Sequence, residues 1–266
     1  MKRIFLFTVV SIIFFSCGSG EKKDEGMKLV FNPEIGKPIK MTYEFTVTSL
    51  QKGDKMHFLI AMSGSAEKNP NGGVSLNMVN DKIKMDGEIG GKQVDYDAAF
   101  PDSIPDEIKT VTTSVFSLLG KKFKSVYDER LNKNSEVIIK ADSSPADSVE
   151  NKMQFFLRFP DTTISVGYTW QRELVIKSGN RMNCTAKYII KEIKEGKAYI
   201  SMEGKLSGDG ETFGHVFTID GNLTGNIIVD LKTGWPLDSD INQNFTLDLN
   251  GEKIPMKYSI KHAVSF

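Results

Sequence analysis

Few residues in this 266-residue chain combine a type and a spacing that could support chemistry. The reactive set is small: two cysteines, Cys17 and Cys184, and three histidines, His57, His215 and His262. The histidines are too scattered to predict a zinc site. The chain also lacks a Gly-x-Ser-x-Gly elbow, a His-Glu-x-x-His pair, a phosphate-binding loop and a cysteine pair with metal spacing. We therefore expect no catalytic residues, cofactor or metal; a hydrolase with an unrecognised site is the enzymatic alternative.

Cys17 is the residue whose surroundings point to a specific reaction. Lys2 and Arg3 precede an apolar run at 4–15, which is too short to span a bilayer and predicts a signal peptide over residues 1–16. The segment Phe14-Phe15-Ser16-Cys17 resembles the relaxed lipobox of Bacteroidota lipoproteins, although the two phenylalanines depart from the usual pattern. The resemblance implies lipidation of Cys17. The alternatives are an uncleaved anchor and an ordinary secretory signal.

Residues 17–27 predict a flexible tether between the lipid and a folded domain at 28–266. Lys23-Asp24-Glu25 resembles a surface-export signal of some Bacteroidota lipoproteins, with a solvated linker as the alternative.

Loss of residues 1–16 removes two basic residues and no acid, which leaves a charge of −2 and argues against a nucleic-acid partner. We expect an outer-membrane lipoprotein of the cell envelope, on its periplasmic or surface face.

Apolar and polar residues alternate along most of the domain, and this alternation predicts strands with one wet face. Apolar residues at 39, 41, 43, 45 and 47 set the pattern. Further strand patterns lie at 57–63, 74–78, 82–85, 93–99, 123–127, 136–140, 170–176, 182–190, 198–206, 215–220, 223–231, 241–249 and 254–264. We predict a mainly β (α+β) fold, a curved antiparallel sheet or half-barrel with meander halves at 28–100 and 165–266. Similar spacing after Gly36 and Gly167 suggests that the halves are related.

A helical bridge is predicted between the halves, over residues 101–160. Apolar residues spaced by three and four indicate an amphipathic helix over 103–119, which Gly120 would end. A second helix is predicted from Pro145 to Arg158, with Phe159-Pro160 as its stop.

The apolar side of the predicted strands is rich in methionine, a flexible residue that recurs at adaptable binding surfaces. The candidate ligand face consists of Met41, Met62, Met78, Met182, Met202 and Met256. The alternative is that these side chains pack a core beneath the helices.

Cys184 and His262 also lie on the apolar side of strands. If Cys17 carries lipid, Cys184 has no intrachain partner for a disulfide. We predict that Cys184 is a buried, unreactive thiol and that His262 is a strand histidine rather than a metal ligand.

Three short segments resemble the O-glycosylation sequon of Bacteroidota, which is Asp, then Ser or Thr, then an apolar residue or Thr. They place candidate sugar attachment at Ser103, Ser148 and Thr162. Helix N-capping is the alternative use of such residues.

Several longer segments together resemble a family of uncharacterised Bacteroidota lipoproteins defined by a domain of unknown function. They are the residues at 36–43, Leu118-Leu119-Gly120 with 123–127, Phe159-Pro160 before 166–170, and 230–234. The resemblance implies envelope location and a β-rich fold, and it supplies no catalytic residue. The predicted shape is also similar to that of half-barrel lipoprotein carriers that hold acyl chains.

These observations favour a non-catalytic, membrane-anchored lipoprotein that binds an apolar or lipid ligand. The alternative is a structural or assembly component of the envelope that holds a protein partner.

Overall fold

The computed structural model describes residues 26–51, 53–100, 104, 115–139, 145–148, 157–177, 181–212 and 215–266. They form one antiparallel sheet of thirteen strands, which confirms the mainly β prediction. In chain order the strands are β1 (Pro38–Ser49), β2 (Lys55–Lys68), β3 (Val74–Ile89), β4 (Lys92–Asp97), β5 (Lys122–Tyr127), β6 (Lys133–Ile139), β7 (Pro145–Ser148), β8 (Thr169–Lys177), β9 (Arg181–Lys194), β10 (Lys197–Thr212), β11 (His215–Asp230), β12 (Pro236–Leu249) and β13 (Glu252–Ser265).

The first strand of the sheet pairs with the last. The order is β7-β6-β5-β3-β2-β1-β13-β12-β11-β10-β9-β8, and β4 pairs with β3 on the same side as β5. β3 is long enough for both partners, since residues 74–79 pair with β5 and residues 84–89 pair with β4. The two predicted meanders are therefore joined at β1 and β13, in the middle of the sheet.

The alternating pattern gives the sheet one buried and one exposed face. In β1, Ile39, Met41 and Tyr43 are buried, whereas Lys40 and Glu44 are exposed. We call the face that carries the buried residues the inner face and the opposite one the outer face. The inner face holds the hydrophobic core, as expected for an antiparallel sheet with one wet side.

β3 is a single strand where the sequence predicts two, at 74–78 and 82–85. Its register against β2 shifts beside Ala61 and Met62, so one extra residue interrupts the alternation without ending the strand. The buried Asn80 lies at this irregularity, and its side-chain amide donates a hydrogen bond to the Leu118 carbonyl at 3.0 Å.

β11 is likewise one strand where the pattern predicts two, at 215–220 and 223–231. The pattern breaks at Gly221, which has ordinary strand pairing to Phe245 of β12. A Cβ at Gly221 would collide with the carbonyl oxygen of Asn244. Glycine at this position therefore allows the two strand backbones to lie close together, and it does not form a turn.

The helix predicted over 103–119 lies largely outside the described residues. Its described end is helical at Val115 and Phe116 and then becomes a turn. Gly120 has a φ of 71°, the left-handed conformation that commonly follows a helix.

The helix predicted from Pro145 to Arg158 is wrong at both ends. Pro145–Ser148 is strand β7, which pairs with β6, and residues 157–160 have no regular secondary structure. A proline is tolerated as the first residue of an edge strand, and aspartate and serine favour helices only weakly. Pairing with β6 therefore outweighs the helical spacing at this edge.

Residues 27–35, which we call the N-terminal strap, cross one end of the inner face. The strap makes backbone hydrogen bonds to three distant segments: Met27 with Ile164 at 2.7 and 3.0 Å, Phe31 to Glu129 at 2.8 Å, and Asn32 to Thr233 at 2.8 Å. The backbone of Met27 is therefore held against that of Ile164 by two hydrogen bonds. We call this end of the sheet the strap end, and the opposite end, with turns at 50–51, 90–91 and 250–251, the hairpin end.

Side chains of the strap fill the interior of the strap end. Leu29 and Phe31 are only 1% and 2% exposed. The Phe31 ring lies edge-on to Trp235 at 5.0 Å and to Tyr127 at 5.8 Å. Phe31 thus connects β5 with the turn before β12, which belong to the two different halves of the sheet.

Candidate functional site

The methionines predicted to form a ligand face lie mostly in the core. Met41, Met62, Met78 and Met202 are buried on the inner face. Met256 is half-buried, and the side chain of Met182 lies outside the described part of the chain. Of the five whose side chains the structure describes, Met256 alone lies on a partly open surface.

A small cavity remains beside three of the buried methionines. Its volume is about 40 Å³, and Met41, Met62 and Met78 line its apolar side. One water needs roughly 10–15 Å³ on this measure. The cavity can therefore hold a few waters, and an acyl chain would require the core to rearrange.

A buried ion pair forms the polar side of this cavity. Lys133 contacts the carboxylate of Glu136, and the side chains of both residues are at most 10% exposed. The hydroxyl of Ser125 donates a hydrogen bond to Glu136 Oε2 at 2.7 Å. Burial and the charge of Arg158 lower the pKa of Lys133, whereas the adjacent carboxylate of Glu136 favours its charged form.

No sequence motif predicts this pair. Glu136 begins a predicted strand and Lys133 falls in a polar turn, where charged side chains are normally solvated. Their spacing of three residues was the available signal, but in a strand it does not predict contact. The structure brings them together because the register between β5 and β6 shifts beside Tyr127.

Arg158 connects the two halves of the sheet from within. Its guanidinium donates to the Leu131 carbonyl at 2.5 Å, and its own carbonyl accepts a hydrogen bond from the Trp170 indole at 2.8 Å. Burial lowers the pKa of Arg158, and the nearby ionisable groups of Tyr127 on β5 and Tyr188 on β9 act in the opposite direction. Arg158 therefore has a structural role between the halves.

At the hairpin end, the inner face is only half-buried. We call its partly exposed apolar and aromatic side chains the hairpin-end surface: Phe45, Met56, Phe58, Phe245, Met256 and Tyr258. They belong to four adjacent strands, because Phe45 is opposite Phe58 in the register of β1 and β2, and Phe245 is opposite Met256 in that of β12 and β13. The Phe45 ring stacks between those of Tyr43 and Tyr258, at 5.9 and 6.1 Å. The surface combines flat rings with flexible methionines, which suits an apolar ligand of variable shape.

The predicted burial of Cys184 is confirmed. Cys184 is 1% exposed, and burial raises the pKa of its thiol to about 11. At neutral pH the thiol is protonated and therefore a poor nucleophile.

His262 is also buried, at 4% exposure. Its ring lies 4.7 Å from that of Tyr43, and burial lowers the pKa of His262 to about 3. Within the part of the chain that the structure describes, no group of histidine, cysteine, aspartate or glutamate side chains is arranged to hold a metal ion.

Of the predicted modification sites, Thr162 is the one whose side chain can be placed. Thr162 is exposed, and its hydroxyl lies 2.6 Å from that of Tyr168. The preceding Asp161 makes ion pairs with Arg130 at 2.5 Å and Arg172 at 3.7 Å. Ser148 belongs to β7, whereas Cys17 and Ser103 lie outside the described residues.

No described helix is long and apolar enough to cross a bilayer. A family model described as a family of unknown function, DUF6263, matches residues 142–236, which span β7 to the start of β12. No curated protein matches the chain. The family match agrees with the expected resemblance to an uncharacterised domain and assigns no role to any residue.

Proposed function

We propose that the chain is a non-catalytic lipoprotein of the bacterial cell envelope, anchored through Cys17, that binds an apolar or lipid ligand on the hairpin-end surface. The main observation in support is that Phe45, Phe58 and Tyr258 are partly exposed at the hairpin end of the inner face, whereas the strap end of that face is a closed core. Such a surface gains free energy when an apolar molecule covers it, at about 25 cal/mol per Å² removed from water.

The closed strap end supports the same assignment. The buried methionines beside the 40 Å³ cavity leave no room for an acyl chain. We therefore place the ligand at the hairpin end, where Met256 is only partly buried. The proposed binding surface therefore lies at the hairpin end and includes Met256 of the predicted ligand face.

The test measures the ligand that stays with the purified protein. The full chain carrying Cys17→Ser, which removes the acylation site, is purified without detergent, and its solvent extract is analysed by mass spectrometry. We expect a lipid or apolar molecule at near-stoichiometric amount, reduced at least tenfold by Phe45→Ser with Tyr258→Ser. The matched control is Thr42→Ala with Ser265→Ala, on the same strands but on the outer face. An extract without apolar ligand, together with no saturable binding of an apolar fluorescent dye, would refute the proposal.

Anchoring is tested separately. The native chain should partition with membranes, and the Cys17→Ser chain should be released into the soluble envelope fraction. Retention of the Cys17→Ser chain in membranes would contradict lipid attachment at this residue and leave the ligand proposal untouched.

The second candidate function, a structural or protein-holding role, is favoured by strand β8. In the described residues β8 pairs with β9 alone, so its other edge can accept a further strand. Photocrosslinking from position 171, which is exposed on β8, should then trap an envelope protein, whereas position 187 on the interior strand β9 should not.

A further inference from the structure

Two polar grooves of nearly equal size and opposite charge lie among the described residues of the outer face. The first, which we call the basic groove, has a volume of about 360 Å³ and crosses β12, β13, β1 and β2. The second, the acidic groove, has about 350 Å³ and crosses β9 to β12. Asn242 lines both, so the two grooves adjoin on the same surface.

Their linings differ in formal charge. The basic groove has three lysines, Lys55, Lys257 and Lys261, and one acid, Glu44, for a formal charge of +2. The acidic groove has one lysine, Lys191, and two acids, Glu203 and Asp240, for a charge of −1. Because the whole chain is close to neutral, an anion would be attracted to the first groove by its local field rather than by net charge.

The lysines of the basic groove are available to a ligand. Within the described residues none of the three makes an ion pair, and all three are exposed. Glu44, the one acid in the lining, lies 3.7 Å from His57 Nε2 on β2 and opposite Lys261 in the register of β1 and β13.

The register fixes the spacing of the three amines. Lys257 and Lys261 are four residues apart on β13, which corresponds to about 13 Å along the strand. Lys257 and Lys55 flank Thr48 on the two neighbouring strands of β1, which places their backbones about 10 Å apart. A single small anion cannot readily engage all three, whereas a chain with repeated negative groups can.

Uncharged donors and acceptors lie between the lysines. The hydroxyls of Thr46, Thr48 and Ser259 and the amide of Asn242 line the same groove. Hydroxyl and amide groups both donate and accept hydrogen bonds, which complements the hydroxyls of a sugar. We propose that the basic groove binds an acidic saccharide, a sugar chain that carries sulfate, phosphate or carboxylate groups.

This groove is a better fit for a chain than for a membrane surface. Lipid phosphates lie in a plane, whereas the lining residues surround a depression that a single chain can enter. The groove also lies on the face opposite the hairpin-end surface, so the two proposals can fail independently.

The test is calorimetric titration of the full chain, carrying Cys17→Ser, with dextran sulfate at about 50 mM salt. We expect saturable binding that weakens as salt is raised, since exposed charges are screened, and no binding of uncharged dextran. Lys55→Gln with Lys257→Gln and Lys261→Gln should weaken binding at least tenfold. Lys187→Gln with Lys191→Gln and Lys205→Gln changes the net charge equally on the same outer face, and it should weaken binding less than twofold.

Three results would overturn the proposal. Equal losses in the two triple variants would show a general charge effect. Polyglutamate that binds as tightly as dextran sulfate would show that negative charge alone is sufficient and that the hydroxyl and amide groups do not select a sugar. Vesicles of anionic lipid that bind more tightly than dextran sulfate, and through the same three lysines, would make the groove a membrane contact. If the triple variant folds poorly, the single variant Lys257→Gln replaces it. We expect Lys257→Gln to weaken dextran sulfate binding about threefold, and unchanged binding would contradict the proposal.

Discussion

The strap end and the hairpin end of the inner face share one sequence pattern and differ in what covers them. At the strap end, Leu29 and Phe31 come from outside the sheet and fill its interior. At the hairpin end, Phe45 and Phe58 continue the same apolar alternation and remain half-buried. The alternation therefore determines on which face a side chain lies, and segments from elsewhere in the chain determine how far that face is shielded from solvent.

The two ends also differ in their polar groups. The strap end encloses charge, with Lys133 against Glu136 and Arg158 bonded to the Leu131 carbonyl. The hairpin-end surface is built from apolar and aromatic side chains. We therefore expect the strap end to determine stability and the hairpin end to tolerate changes that alter binding.

The largest expected effect compares the same substitution at the two ends. Phe31→Ala removes a ring that is 2% exposed and should reduce the free energy of unfolding by about 3–5 kcal/mol. Phe58→Ala removes a half-buried ring and should cost about 1–2 kcal/mol, because less apolar area returns to water. Urea unfolding of both variants measures the difference, and equal costs would contradict the distinction between the ends.

A second comparison concerns charge. Lys133→Met leaves the carboxylate of Glu136 buried without its partner and should cost about 3–5 kcal/mol. Adding Glu136→Gln should recover most of this loss, because the amide oxygen still accepts the bond from Ser125. Lys124→Met breaks the exposed pair with Glu67, at 2.6 Å, and should cost less than about 1 kcal/mol. A small effect of Lys133→Met in urea unfolding would argue that this pair is hydrated.

His262 should make the protein sensitive to acid. Burial lowers its pKa to about 3 from the ordinary 6.5, so the unfolded state binds the proton first as the pH falls. Stability from this residue is thus present at pH 7 and decreases as the pH drops from about 6.5 toward 3, by about 3 kcal/mol at pH 4. His262→Gln should show a correspondingly smaller decrease in unfolding free energy between pH 7 and pH 4. The same decrease in both proteins would assign acid sensitivity to other groups.

Most of the sheet could be predicted from the sequence because an antiparallel strand with one wet face has a period of two. The pattern locates β1, β5, β8 and β13 to within a few residues. It fails at Asn80 and Gly221, where the strand continues although the alternation stops. A register shift and a close approach of backbones are properties of two strands, so one strand's residues do not encode them alone.

The candidate site was less predictable for the same reason. Apolar alternation assigns Met41 and Met256 to one face equally, whereas the structure buries Met41 beside β5 and β6 and leaves Met256 half-buried. The partners of the strap at Glu129, Ile164 and Thr233 are about 100 to 200 positions away in the chain. Likewise, the basic groove depends on β1 pairing with β13, the most distant strands in the sequence.

The smallest expected effect tests whether the hairpin-end surface is ordered without a ligand. The rings of Phe45 and Tyr258 stack at 6.1 Å with an angle of 10°, a geometry that contributes about 0.5–1.5 kcal/mol beyond area burial. A double-mutant cycle of Phe45→Leu and Tyr258→Leu, measured by urea unfolding of delipidated protein, should give a coupling energy in this range. The control cycle of Phe45→Leu with Trp170→Leu joins residues on β1 and β8, at the centre and edge of the sheet, and should give none. A Phe45–Tyr258 coupling near zero would contradict a binding surface that is preformed at the hairpin end without a ligand.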